Sequence, residues 1–551
     1  MGKRELIEKA EKIWFNIKFR YLILISLFIL CFFIFGFFSY FIGQDLNWDL
    51  LNYHYYGPYS LLNERLEIDC APAQFTTYAN PLLDLPFYYG SQIMKPWLVG
   101  FILGGVHGIN FFLLLILSYL LFSNIGEKRR LVLSLICAIV GVYAPMFILE
   151  FGTTFNDNLI SIFVLSGLIL MIKSYSLDLN NKKYLYLILF GGCLFGLGIG
   201  FKLSHAPYLI AVIIAFFLCI YSFRNKIKNS LFFFVGALVG LFFSSGYWMV
   251  KMFKLFGSPL FPFYNAFFKS PWYEYINFAD IRFLPKTLFH VLFYPIYFAL
   301  DSTLVIEKPF AFRDIRFALV YLILLVFLLV FIYFFIKNRF YKNTQKHTIN
   351  DCFNNFDTKE IFFIYFFIFS YIIWQFKFSI YRYLITLELI APILIVLLIE
   401  KFKINVKIKN IILFVLFALI LVLLILPDIK KSDWSNSLFD VSINQDKILN
   451  DATILIIGKY PRSYIIPFFD NKNMTFVSLE NNLFRRGKDN LLMKRCEEII
   501  LDNREKLYLL AKENELQNNS KILVKYNISI IQSENYSITT NIETLYLFRL
   551  K

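Results

Sequence analysis

Charged residues are scarce in this chain. Only 17% of its 551 residues are Asp, Glu, Lys or Arg, whereas a soluble domain carries about 25%. Hydrophobic residues make up 58% instead, and they include 67 Phe and 35 Tyr. The core of a soluble domain cannot bury that many large apolar side chains. The composition therefore excludes a string of soluble domains and indicates an integral membrane protein.

Cysteine-based metal motifs are also absent. The chain has 7 Cys and no Cys-x-x-Cys pair. Four of the cysteines lie within apolar runs, where cysteine behaves as a small hydrophobic side chain. We therefore expect no metal site built from cysteines. We expect no cofactor either, and metal dependence stays open. Only Cys70 and Cys496 fall in segments that we place on the outer side of the membrane below, and a disulfide between them is one possibility that the sequence leaves open.

A nucleic-acid partner is not expected, although the net charge is +16. The basic residues stand mostly between apolar runs, where anionic lipid headgroups are the natural counter-charge. No basic stretch follows a fold that reads bases. Membrane lipids are therefore the predicted partner of this positive charge.

Apolar runs long enough to cross a bilayer are the dominant pattern. A transmembrane helix needs about 20 mostly apolar residues. We predict eleven spans, near residues 20–43, 97–122, 131–148, 158–172, 184–200, 206–222, 230–252, 317–336, 360–376, 383–400 and 410–427. The segment 81–96 is also apolar and is a candidate half-span or interfacial helix, so the parity of the count stays open.

Lysine and arginine predict the orientation, because they are enriched in cytoplasmic segments. With the N-terminus inside, the inner segments hold 24 Lys and Arg in 79 residues, and the outer segments hold 12 in 139. We therefore place the N-terminus in the cytoplasm and everything after Pro427 outside.

Two long outer loops and a polar tail complete the organisation. Loops 44–96 and 254–316 combine Trp, Tyr, Phe and Pro with Asp and Arg, which suggests segments that lie at the membrane interface around a cavity. Short β-branched runs at 452–458, 474–478, 522–531 and 544–550 predict strands, and the spacing over 490–513 predicts a helix. The chain thus divides into a transmembrane module, 1–427, and an extracytoplasmic α/β domain, 428–551.

The first outer loop carries the main candidate for a catalytic carboxylate. Helical spacing places Asp49, Asn52, Tyr53 and Tyr56 on one face, where a carboxylate among aromatic rings can face a cavity. Asp45 is an alternative, or it only caps a helix. His54 is a base or a hydrogen-bonded structural residue.

Further charged residues stand at the outer ends of other spans. Asp157 lies in a short outer turn without a basic residue, and it either caps the next helix or meets a distant cation. Lys202 follows the fifth span and Arg382 precedes the tenth, against the charge bias of the chain. They either reach toward the interface or bind an anionic headgroup. Arg282 is a similar candidate in the second long loop.

The order of these motifs resembles the GT-C superfamily of membrane glycosyltransferases, which take a sugar from a polyprenyl-phosphate carrier. The resemblance covers roughly 1–427. It rests on Trp48-Asp49-Leu-Leu-Asn52-Tyr53-His54, on the turn around Asp157, on Gly200-Phe-Lys202 and on Tyr381-Arg382-Tyr383. Many members place an adjacent Asp-Glu pair in the first outer loop, where this chain has Trp48-Asp49. The choice between Asp45 and Asp49 therefore stays open.

The resemblance implies inverting transfer of a sugar from the lipid carrier to a glycan, glycolipid or cell-surface acceptor. It implies a catalytic Asp49, with Asp45, His54 and Asp157 as supporting or alternative acid/base groups. Lys202, Arg382 and Arg282 would bind the donor phosphate, and Asn52, Tyr53, Tyr56 and Tyr381 would line the sugar and acceptor cavity. No metal is implied.

A transporter or flippase of lipid-linked saccharides is the alternative function, because it also explains many spans and outer cations. The bias toward Lys, Asn, Ile and Phe suggests an AT-rich genome. We therefore expect the inner membrane of a bacterium, with acceptors on its outer face. The sequence predicts no oligomeric state.

Overall fold

The computed structural model is a bundle of long apolar helices with a small C-terminal sheet. It describes residues 3–177, 181–220, 222–277, 279–340, 353–429, 431–443, 450–469, 473–483 and 490–551. Within these ranges, nine helices are long and apolar enough to cross a membrane: Tyr21–Ile42, Pro96–Leu121, Asp157–Ser174, Lys182–Phe201, Phe223–Phe256, Arg316–Phe334, Thr358–Lys377, Tyr381–Lys401 and Val406–Leu423. The prediction of a mainly helical, multi-pass membrane protein is confirmed in this form.

Two of the eleven predicted spans coincide with shorter helices. The run 131–148 falls on Glu127–Val142, which has 16 residues and is followed by a separate turn of helix at Pro145–Leu149. The run 206–222 falls on Ala206–Cys219, which has 14 residues. The candidate half-span 81–96 contains the 3-10 turn Leu82–Asp84 and the 9-residue helix Leu85–Ile93, which is too short to cross a bilayer by itself. The count of eleven stays a prediction.

Glycines allow two of the long helices to pack backbone against backbone. On Lys182–Phe201, a Cβ added at Gly192 or Gly196 would collide with a carbonyl oxygen of Phe223–Phe256. The reverse holds for Gly236 and Gly240. Small residues at such an interface let membrane helices approach closely. The packing fixes the end of Lys182–Phe201, and Lys202 follows directly.

The chain crosses the bundle alternately, so the functional candidates gather at one end, which we call the loop end. Loop 44–96 lies there as a series of short helices: Leu50–His54, Tyr56–Leu62, Arg65–Glu67, Gln74–Tyr78, Leu82–Asp84 and Leu85–Ile93. Loop 254–316 contains Asn265–Phe268, Leu288–Leu300, Ser302–Leu304 and Lys308–Phe310. Neither loop is a single long helix.

The C-terminal sheet has six strands in the order β1-β5-β6-β4-β2-β3. The strands are β1 Ser442–Ile443, β2 Thr453–Ile457, β3 Thr475–Leu479, β4 Leu507–Ala511, β5 Ile530–Thr539 and β6 Thr544–Leu550. Strand β2 is parallel to β3 and β4, whereas the β4/β6, β6/β5 and β5/β1 pairs are antiparallel. Helices Leu491–Asp502 and Leu516–Leu523 complete the α/β arrangement.

Two secondary-structure predictions in the tail were wrong in their extent. The helix predicted over 490–513 ends at Asp502, and its last part is strand β4. All five residues of β4 are buried between β2 and β6, and a short apolar run has no periodicity that separates a buried strand from a helix. The strand predicted over 522–531 begins inside Leu516–Leu523, and β5 starts only at Ile530.

The sheet packs directly on loop 44–96. Cys70 pairs with Val477 at the edge of β3 and forms a disulfide with Cys496. Asp69 accepts a hydrogen bond from the Phe476 amide at 3.0 Å, and residues of the loop and the sheet share two apolar cores. The loop is therefore held between the helix bundle and the C-terminal sheet.

Candidate functional site

Four charged side chains from distant parts of the chain meet at the loop end. Arg382 Nη1 donates to Asp49 Oδ2 at 2.9 Å, and its Nε lies 3.4 Å from Asp157 Oδ2. Lys202 Nζ donates to the same Asp157 oxygen at 2.6 Å. We call Asp49, Asp157, Lys202 and Arg382 the charge cluster. Its two cations and two carboxylates carry no net charge.

Backbone geometry places each member of the charge cluster. Asp157 opens the helix Asp157–Ser174 directly after Asn156, whose φ of 72° lies in the left-handed region that asparagine tolerates. Lys202 caps the end of Lys182–Phe201 in an extended conformation and also donates to the Phe155 carbonyl at 2.8 Å. Arg382 lies in the 3-10 turn Tyr381–Leu384. Helix ends thus supply three of the four groups.

The four side chains of the charge cluster differ in how deeply they are buried. The side chain of Asp157 is fully buried, whereas those of Asp49, Lys202 and Arg382 are 11%, 17% and 26% exposed. Asp157 therefore holds the two cations from the buried side of the charge cluster. The cations and Asp49 keep a face that an incoming ligand can reach.

Tyr53 lies in loop 44–96, as Asp49 does, and it contacts the charge cluster. Its hydroxyl lies 3.4 Å from Asp49 Oδ2. Burial and the negative charge of Asp49 raise the pKa of Tyr53 well above its usual range, so the phenol stays protonated. Tyr53 can act as a hydrogen-bond donor beside Asp49.

His54 forms a second polar group next to Tyr53. Its Nδ1 lies 2.9 Å from Asp84 Oδ2, and Asn156 donates to Asp84 Oδ1 at 2.7 Å. His54 Nε2 is buried, with no hydrogen-bond partner among the described residues. The sequence analysis singled out His54 and did not connect it with Asp84. No spacing rule connects the two residues, which lie in separate helices of the loop.

Asp45 joins two segments of the loop end. Its carboxylate accepts hydrogen bonds from Asn47 and from both the amide and the hydroxyl of Thr154, at 2.9 to 3.1 Å. The residue is 8% exposed. It ties the start of loop 44–96 to the turn before Asp157 and holds no cation of the charge cluster.

Three residues expected to line a cavity lie in the interior instead. Asn52 donates to Thr76 Oγ1 at 2.8 Å, Tyr56 donates to Asp69 at 2.8 Å, and Tyr381 is buried among the rings of Phe298, Phe312 and Phe317. Residues 50–54 form a π-turn, whose i→i+5 bonding gives more residues per turn than an α-helix. Tyr53 therefore stays near Asp49, and Asn52 rotates away.

Arg282 is also placed apart from the charge cluster. It pairs with Asp280 at 2.7 Å and with Glu307 at 3.0 Å, both in its own loop. Its side chain is 63% exposed. The structure provides no contact between Arg282 and the other predicted phosphate ligands.

Glu150 is a buried acid beside the charge cluster that received no role from the sequence. It is fully buried and lies against Asp157, and burial together with the charge of Asp157 raises its pKa well above the usual range. The signal was present, since Glu150 and Asp157 share a turn that lacks any basic residue. The sequence alone did not show that Asp157 meets two cations and that Glu150 meets none of them in hydrogen-bonding contact.

Metal binding has no support among the described residues, in which no group of three or more His, Cys, Asp or Glu is arranged to hold a metal ion. A cavity of about 590 Å³ lies at the opposite end of the bundle. Its cations are already paired, Arg129 with Glu400 and Lys401 with Glu360. The cations of the charge cluster are paired as well, but this cavity contains none of the residues that the sequence motifs single out, and the charge cluster is therefore the candidate site.

No protein-family model matches the chain, and no curated protein matches it in sequence.

Proposed function

We propose that the chain is an inverting membrane glycosyltransferase that moves a sugar from a polyprenyl-phosphate carrier to a hydroxyl acceptor. The observation that carries this proposal is the position of Arg382 between Asp49 and Asp157, with Lys202 bonded to the same oxygen of Asp157. Sugar transfer from a phosphate needs cations for the leaving group and a carboxylate for the attacking hydroxyl. Both are present within one site.

Lys202 and Arg382 are the proposed phosphate ligands. Each keeps an exposed face, and each is oriented by Asp157 rather than by solvent. Fixed cations stabilise the negative charge that grows on a leaving phosphate, and they do so without reorganising during the reaction. Arg382 can offer a bidentate fork, whereas Lys202 is a point charge.

Asp49 is the proposed general base. Arg382 occupies Asp49 Oδ2 in an ion pair, so that oxygen becomes free to accept a proton when the donor phosphate draws Arg382 away. The acceptor oxygen then bonds to the anomeric carbon, and its proton passes to Asp49. The bond from that carbon to the phosphate oxygen breaks, and its electron pair stays on the phosphate. Attack opposite the leaving group inverts the configuration.

The proposed location is the outer face of a bacterial inner membrane, with the N-terminus in the cytoplasm. The disulfide between Cys70 and Cys496 supports this side for the loop end, because disulfides persist in oxidising compartments. The distribution of Lys and Arg supports the same orientation. A lipid-linked donor and an acceptor glycan or lipid-linked saccharide would then meet at the outer leaflet.

A bond-cleavage assay tests the proposal. Purified protein in detergent is incubated with polyprenyl-phosphate sugars carrying a label in the sugar, together with a pool of glycan and lipid-linked acceptors. We expect free polyprenyl phosphate and labelled acceptor to appear together, and both to be lost in Arg382→Gln. Transport of the intact lipid in vesicles without cleavage would support the transporter alternative and overturn the enzyme proposal.

A further inference from the structure

Glu150 contacts Asp157 on the side that the cations do not use. Lys202 and Arg382 both approach Oδ2 of Asp157. Oδ1 of Asp157 and both carboxyl oxygens of Glu150 are buried, and no donor among the described residues reaches them. Glu150 and Asp157 belong to the same turn, and the charge of Asp157 and a side-chain interaction with it both raise the pKa of Glu150, which places the two carboxyl groups side by side. A donor is therefore missing between two groups that can only accept when ionised.

Two adjacent buried carboxylates cannot both ionise, because their like charges repel in a medium that screens poorly. A single proton resolves the contact, since a carboxylic acid donates where a carboxylate accepts. Asp157 is paired with two cations, which favour its charged form. Glu150 has no cation in hydrogen-bonding contact among the described residues. The proton therefore belongs on Glu150.

We propose that Glu150 is a neutral positioning residue whose carboxylic acid donates to Asp157 Oδ1 and holds Asp157 as the anchor for Lys202 and Arg382. This role rests on the proposed function only for its effect on donor binding. The protonation state itself is independent of any reaction. The remaining neighbours do not supply the missing proton: His205 Nε2 lies 4.0 Å from Asp157 Oδ1, beyond hydrogen-bonding reach.

The local fold explains why the acid points inward. Glu150 ends the short helix Pro145–Leu149, and the following turn uses Gly152 at a φ of 62°. Ser39 packs against Gly152, where a Cβ would collide with the hydroxyl of Ser39. Lys431 donates to the carbonyls of residues 151 and 152 from the far side. Ser39 and Lys431 therefore fix the backbone of the turn. This backbone directs the Glu150 side chain toward Asp157.

The shared proton sets the charge that a phosphate meets. With Glu150 neutral, the two carboxylates and two cations of the charge cluster balance. Ionised Glu150 would add a negative charge and compete with phosphate for Lys202 and Arg382. We therefore expect donor binding to weaken on the alkaline side as Glu150 loses its proton. His205 does not explain such a loss, because histidine is already neutral there. Burial lowers the pKa of Lys431 to about 8, so Lys431 titrates in the same range, and only the part of the decline that Glu150→Gln removes belongs to Glu150.

Infrared difference spectroscopy of the full-length protein tests the protonation state. We expect wild type minus Glu150→Gln to show the carbonyl stretch of a protonated carboxylic acid at neutral pH, shifted in heavy water. The band should disappear reversibly as pH rises. Glu498→Gln, a change of the same type at an exposed helix position, should remove no such band. Absence of the band from the wild-type minus Glu150→Gln spectrum would overturn the proposal.

The pH profile of donor binding tests the consequence, with a polyprenyl phosphate as the probe. Glutamine keeps a donor for Asp157 Oδ1 but has no ionisable proton, so Glu150→Gln should bind within about threefold of wild type at neutral pH and lose the alkaline decline. Glu150→Ala should bind weakly at every pH. An unchanged alkaline decline in Glu150→Gln would overturn the role. An infrared band without any polyprenyl-phosphate binding would instead contradict the proposed function alone.

Discussion

Arg382 and Asp49 are 333 residues apart in the sequence, and they form an ion pair of 2.9 Å at the loop end of the bundle. The same guanidinium reaches Asp157 at 3.4 Å. One side chain therefore connects loop 44–96, the turn before Asp157 and the start of Tyr381–Lys401. Any anion that takes Arg382 as a ligand changes the charge environment of both carboxylates.

Asp49→Asn is expected to abolish most sugar transfer while leaving donor binding intact. The amide keeps the shape of the side chain and removes its basicity, and loss of a general base costs about 10²–10⁴-fold in rate. Transfer is measured at saturating donor, and donor binding is measured separately. His54→Gln is the matched test of the other candidate base. Near-normal transfer in Asp49→Asn together with loss in His54→Gln would assign the base to the His54–Asp84 pair.

Asp45→Asn should affect stability more than turnover. Asp45 accepts hydrogen bonds from Asn47 and Thr154 and holds no cation of the charge cluster. Removing a charged acceptor from a buried hydrogen-bond set costs about 1–3 kcal/mol. Thermal unfolding in detergent should shift to lower temperature, and the remaining folded protein should transfer sugar at a rate near that of wild type. A loss of turnover without a loss of stability would move the catalytic role to Asp45.

Lys202→Gln and Arg382→Gln should each weaken binding of a polyprenyl phosphate. A hydrogen bond to a charged group contributes about 1.5–3 kcal/mol, which corresponds to roughly ten- to hundredfold in affinity. Arg282→Gln is the control, because Arg282 is an exposed arginine whose ion pairs, among the described residues, are with Asp280 and Glu307 of its own loop. Equal weakening in all three variants would indicate a general charge effect instead of a defined phosphate site.

The convergence of Asp49, Asp157, Lys202 and Arg382 could be anticipated from the sequence, because all four stand at span ends that alternate to the same side. The interior positions of Asn52 and Tyr56 could not, since α-helical spacing was assumed where the chain forms a π-turn. The pairing of His54 with Asp84 and the orientation of the Glu150 side chain were also hidden. They depend on how separate short helices pack, and hydrophobic periodicity carries no information about that.

The topology predicts which positions an impermeant thiol reagent reaches in intact cells. Ser533→Cys places an exposed thiol on β5, and Lys407→Cys places one at the opposite end of the bundle. We expect Ser533→Cys to react without permeabilisation and Lys407→Cys to react only after it. Among the described residues, the four free cysteines are buried or half-buried; Cys352 lies outside those residues and is replaced by Ser in both variants, so the background should be low. The reverse pattern would put the charge cluster on the cytoplasmic side and contradict a donor used outside.

Removal of the Cys70–Cys496 disulfide should loosen the C-terminal sheet and, through loop 44–96, the charge cluster. The bond joins residues 426 apart, and crosslinks that close long loops stabilise by about 2–4 kcal/mol. We expect Cys70→Ser/Cys496→Ser to unfold at lower temperature and to expose the Leu491–Asp502 helix to protease first. The closest control is Cys31→Ser, because Cys31 is a buried free cysteine in the first long helix. Wild-type stability and protease resistance in the double variant would contradict this prediction. Other contacts would then be sufficient to hold the sheet on loop 44–96, such as the hydrogen bond from the Phe476 amide to Asp69.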